Sequence, residues 1–77
     1  METNKTKITV IIEKDDWGYY AFCPELIGCH TQGDTLDEVL QNIKEAVELY
    51  ISTLSEEEKK ELFSKEILTT NIEVSVG

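Results

Sequence analysis

Seventy-seven residues, with 16 acidic and 7 basic side chains, a formal charge of -9 and 40% hydrophobic residues, allow one small domain with a modest core. The acidic balance argues against direct nucleic-acid binding, which draws on clustered Lys and Arg, and suits either plain solubility or a basic partner. Two cysteines and one histidine leave little from which to build a metal or thiol centre.

The amino terminus, METNKTK, is short and polar, without the apolar run of a signal peptide, and no later stretch is long enough to span a bilayer. The expectation is a cytoplasmic protein without membrane association, residues 1–6 forming a flexible start. Lys7 to Glu13, KITVIIE, is rich in β-branched residues and alternates, with Ile8, Val10 and Ile12 on one face of a first strand. KDDWG, Lys14 to Gly18, supplies turn residues, and Tyr19 to Cys23, YYAFC, completes a β-hairpin. Pro24 lacks an amide donor and Gly28 tolerates unusual dihedrals, so PELIG is a connection that ends the second strand and reverses the chain. Cys29 to Gln32 is a short third strand leading into a Gly33-Asp34 turn.

A Thr35-x-x-Glu38 capping box then opens a long helix through Leu54. Leu36, Leu40, Ile43, Val47, Tyr50 and Leu54 recur at steps of three or four and make its apolar stripe, opposite Asp37, Gln41, Lys44, Glu45, Glu48 and Ser52. A second box, Ser55 to Glu58, starts a short charged helix, and Ile67 to Val76 alternates as a half-buried fourth strand, with Ile72, Val74 and Val76 facing one way. The expected class is α+β, in the order β-β-β-α-β, with the short extra helix before the last strand. If the first three strands form a meander, strand four pairs parallel to strand one through a right-handed crossover, giving sheet order 3-2-1-4 with the long helix on one face.

Little in the chain points to catalysis. Glu13, Asp15, Asp16, Glu25 and Asp34 fall at strand ends and turns, where solvated acids are ordinary. Cys29 and His30 are strand neighbours and point to opposite faces, and Cys23 with His30 lacks a third, orienting group. Cys23, Cys29 and His30 have no fourth zinc ligand, and Gly28 and Gly33 do not make a phosphate loop. No catalytic residue, cofactor or metal is expected; a nuclease reading would require metal-dependent RNA cleavage that Asp15→Ala or Asp16→Ala abolishes. The aromatics are more informative. One helix covers one sheet face, so Ile11, Tyr20 and Phe22 on the other are left partly bare, as at a protein interface. Exposure of this kind nominates Asp15, Asp16, Trp17, Tyr20, Phe22 and Glu25 as partner-binding residues, while Gly18, Pro24, Gly28, Gly33, Thr35 and Glu38 serve the turns and the helix start.

The run from Asp15 to Ile51 closely resembles the HicB family of antitoxins. Gly18, Tyr19, Ala21, Pro24, Leu26, Gly28, Cys29, Gly33, Asp34, Thr35, Glu38, Asn42, Glu45 and Ala46 all fall where that family's pattern places them. The resemblance implies a partial RNase H-like β-β-β-α-β domain that binds and neutralises a small basic HicA-type toxin, an mRNA-cleaving enzyme, by covering its active surface. A homodimer or higher oligomer is expected from the uncovered aromatic face, and the RNase H-like outline does not bring RNase H activity with it, since the core carboxylates that activity needs are not recognisable here. Ile27 stands where the family commonly has a second proline, and the helix-turn-helix or ribbon-helix-helix domain of many members is not expected after residue 77. An orphan homodimeric binding module of the same fold, without a toxin, is the alternative expectation.

Overall fold

A computed structural model describes residues 6–77. The expected flexible start therefore lies, apart from Thr6, outside the described residues. The hairpin forms from strands Ile11–Asp15 (β1) and Gly18–Phe22 (β2), antiparallel, with Ile11 opposite Phe22 and Asp15 opposite Gly18. Its turn is held by one carboxylate, since Asp15 Oδ1 accepts from the amides of Trp17 at 2.8 Å and Gly18 at 3.1 Å. The third strand, His30–Gly33 (β3), pairs antiparallel with β2, placing Phe22 opposite His30 and Ala21 opposite Thr31.

β1 begins later than the alternation of KITVIIE predicts, for a reason found on its partner. Beyond Phe22 the Cys23 amide donates to the Cys29 carbonyl at 3.1 Å and Pro24 has no amide to give, so β2 offers no further rungs to Lys7–Val10. The same bond starts a closed loop, in which Leu26 donates to the Cys23 carbonyl and Cys29 to the Leu26 carbonyl at 3.1 and 3.0 Å. That loop drops Leu26, 1% exposed, into the core beside Cys23 and Cys29.

The long helix, Leu36–Ser52 (α1), starts at Thr35, whose side chain accepts from the Glu38 amide at 3.1 Å. The returning carboxylate of Glu38 takes the Asp34 amide at 3.0 Å rather than that of Thr35, so the reciprocal cap is displaced by one residue. The buried stripe also differs from the expected one. Its centre is Val39, Ile43 and Val47, with Ala46, Tyr50 and Ile51 against the core, whereas Leu36 and Leu40 are 45% and 43% exposed. Steps of four along that line set the helix over β2 and β3, and Asn42 fastens it by donating to the Gln32 carbonyl at 3.0 Å. The expected polar face, including Lys44, Glu45 and Glu48, is exposed.

The short helix, Glu56–Phe63 (α2), opens on a full capping box. Ser55 and Glu58 exchange amide-to-side-chain bonds of 2.8 and 3.1 Å. The Ser55 backbone, and secondarily its hydroxyl, hold the Glu58 carboxyl below the usual carboxylate range. The class is α+β as expected, but among the described residues the sheet has three strands in the order β1-β2-β3. Ile67–Val76 does not add the fourth strand of a 3-2-1-4 sheet within the single chain. Almost all of it is exposed, and a strand without ladder bonds has no stability of its own in water.

Candidate partner-binding surface

Alternation along β2 divides its side chains cleanly. Ala21, fully buried, faces α1, while Tyr20 and Phe22 face away, their ring centroids 5.9 Å apart. The register brings His30 to the same outer face, 5.8 Å from the Tyr20 ring, and adds Ile11, Glu13 and Gln32. Among the described residues no helix covers this face, and Tyr20 is 39% exposed. At its hairpin end Trp17 stands 89% exposed on the β1–β2 turn. There a cleft is lined by Asp15, Trp17, Tyr20, Gln32, Asp34 and Glu38, so aromatic rings and carboxylates converge between the hairpin and the start of α1.

The six residues nominated from exposure therefore do not form one patch. Asp15, Trp17 and Tyr20 meet in the cleft, Asp16 is exposed in the same turn, and Phe22 continues the aromatic surface along β2. Glu25 lies apart, and its carboxylate accepts from the Thr9 amide at 3.1 Å, tying the segment before β1 to the loop. His30, Gln32 and Asp34 were not nominated. The register of β3 against β2 brings the first two in, a pairing that no spacing within the chain announces.

Glycine is required twice around this cleft. Gly18 has φ +145, and a side chain there would meet the Gly33 carbonyl oxygen at 2.9 Å. Gly33 lets the start of α1 approach so closely that a Cβ on it would lie 2.7 Å from the Val39 nitrogen.

On the covered side, Cys23 and Cys29 are buried free thiols. Burial, then the neighbouring Cys29 and Glu25, push the Cys23 thiol up to about 12 from 9.0. Because the folded value is raised, the stability this thiol contributes is complete below pH 9.0 and is lost as pH rises toward about 12. Urea midpoints are expected to hold steady up to pH 8.5 or so and to fall above about pH 9, a slope that the non-titrating Cys23→Ala variant should flatten. At pH 8, iodoacetamide should alkylate native Cys23 roughly a thousandfold more slowly than the urea-unfolded chain, on thiolate fraction alone. His30 on the outer face and Cys23 on the inner one do not meet, and among the described residues no group of three or more His, Cys, Asp or Glu gathers to hold a metal.

The model of the HicB-like antitoxin of bacterial toxin-antitoxin systems matches residues 8–74. The chain belongs to the HicB-like antitoxin family. Its relatives include UPF0150 proteins of Synechocystis sp., 64% identical over 60% of each chain, and of Helicobacter pylori, 46% identical over 88% of this chain and 94% of that one. A UPF0150 protein of Archaeoglobus fulgidus is 40% identical over 92% of this chain and 99% of its own. No solved structure matches. Membership of the HicB-like family points to a non-enzymatic role and, in general terms, to a toxin as partner. No helix of the described residues is long and apolar enough to cross a membrane.

Proposed function

We propose that this HicB-like chain binds and neutralises a small basic HicA-type mRNA-cleaving toxin in the cytoplasm by covering its active surface. The observation that carries the reading is the family match over residues 8–74. The geometry supports it with an uncovered aromatic sheet face ending in an acidic, tryptophan-bearing cleft. Exposed aromatics supply large contact area at low entropic cost, and the charge of -9 draws a basic partner into encounter. Asp15, Asp16, Trp17, Tyr20 and Phe22 are the contact residues of this reading. Glu25 acts through the segment it holds at Thr9.

Co-expression with the protein encoded beside it tests the proposal. A small basic neighbour is expected to co-purify and to lose its RNA cleavage in the complex. Trp17→Ala and Tyr20→Ala should each weaken association by about 30-fold or more, the effect of removing an interface anchor, while Glu48→Lys on the far face of α1 leaves it unchanged. The association rate should fall with added salt. A neighbour that is neither basic nor retained would sink the toxin reading and leave a homodimeric binding module.

A further inference from the structure

The chain carries both halves of a joint that it does not close on itself. One half is the segment after α2. Leu68, Ile72, Val74 and Val76 share one face of an extended chain and are 84%, 78%, 67% and 96% exposed. The other half is a groove of about 1270 Å³ between residues 6–10, α1 and α2, with Ile8, Val10, Leu40, Ile43, Ile51 and Phe63 among its walls. It exists because α1 lies over β2 and β3. Ile12, on the helix side of the sheet opposite Ala21, is consequently still 37% exposed.

The backbone beside the groove is ready to pair. Thr9 turns its amide toward Glu25, so in an extended chain the amides of Ile8 and Val10 point to the opposite, open edge. Among the described residues that edge of β1 has no neighbouring strand. An apolar strand edge left open is a template for another strand. Lys44, Lys59 and Lys60 stand along the groove together with Glu48 and Glu56, and the segment that would fill it carries one charge, Glu73.

We infer that residues 67–76 of a second copy fill this groove and add the fourth strand to the edge of β1, the exchange being reciprocal. The chain's own shape favours a second copy over a fold-back. The molecule measures 52 × 29 × 23 Å, and its radius of gyration of 14.9 Å exceeds the roughly 11.5 Å of a compact chain this long. None of residues 67–76 lines the groove that the segment matches. A joint in which each copy gives and receives the same strand closes as a two-fold dimer, with no donor segment or groove left over for further growth. It uses the side of the sheet opposite the aromatic face and does not depend on a toxin.

Light scattering of the full chain should give twice 8.8 kDa. In a sample mixing isotope-labelled and unlabelled chains, filtered NOE spectra should connect the Ile72 and Val74 methyls of one copy to the Ile8 and Val10 methyls of the other. The double variant Ile72→Glu/Val74→Glu should be monomeric with the helical circular dichroism of the parent. A monomeric wild type, contacts confined to one chain, or a dimer lacking these cross-chain contacts would each overturn the exchange. Should the double variant not fold, the wild-type NOE measurement still decides.

Discussion

Replacing Ile43 by aspartate is expected to abolish the native fold. Ile43 is 2% exposed at the middle of the Val39-Ile43-Val47 line, where α1 meets Ala21, Leu26 and the two cysteines. Losing the isoleucine alone costs about 2–5 kcal/mol, and the aspartate must either be buried charged or take up a proton to enter. No buried polar or charged residue exists among the described residues to receive it. A domain of this length holds only about 4–12 kcal/mol in total, so the two costs together consume the margin. Circular dichroism should show neither a cooperative melt nor native helix content. A variant that melts like the parent would mean that α1 presents another face to the sheet. Glu45→Lys, on the exposed side of the same helix and away from the groove, should stay within about 0.5 kcal/mol of the parent.

The second large effect is expected from the smallest substitution. Gly33→Ala places a methyl 2.7 Å from the Val39 nitrogen and 3.0 Å from its Cα, both backbone atoms that have no rotamer to escape into. Either β3 or the first turn of α1 must move, and with it the Thr35 cap and the Asn42 bond to Gln32. A cost of about 3 kcal/mol follows, which for a chain of this size lowers the melting temperature by roughly 10–20 °C. Gly28→Ala is the control. Gly28 has φ +84 but open space around it, so its penalty should be only the left-handed backbone, about 1–2 kcal/mol. Equal melting temperatures for the two variants would refute the close seating of α1 on β3.

Much of this arrangement was legible from local rules. KDDWG marks a turn, Thr35 and Ser55 mark helix starts, and the alternation in YYAFC separates Ala21 from the aromatic face. What escaped those rules is what depends on distant partners. Residues 7–10 alternate as a strand should, yet Cys23 and Pro24 offer them no rungs. Leu26 lies in a loop, where neither a period of two nor one of 3.6 marks a core residue, yet it is among the most buried side chains. A stripe drawn through Leu36 and Leu40 is equally good helical arithmetic as one through Val39. The choice between them is made by Gly33, which seats the helix over β3 and rotates the leucines outward. On the candidate surface, Tyr20 and Trp17 are exposed, whereas the Glu25 carboxylate holds an amide 16 residues away, a contact that no local pattern announces.

The order in which the elements follow one another also gives the molecule a timetable. β1 meets β2 across a tight turn, β3 joins β2 next, and α1 comes straight off the end of β3. Each piece packs on one already made, the local-contact pattern that lets small chains fold quickly. The core between Ile11 and Ser52 can therefore assemble from neighbours in sequence, without waiting for the segment that follows α2. The segment after α2 is the piece that this sequence of local steps leaves for last.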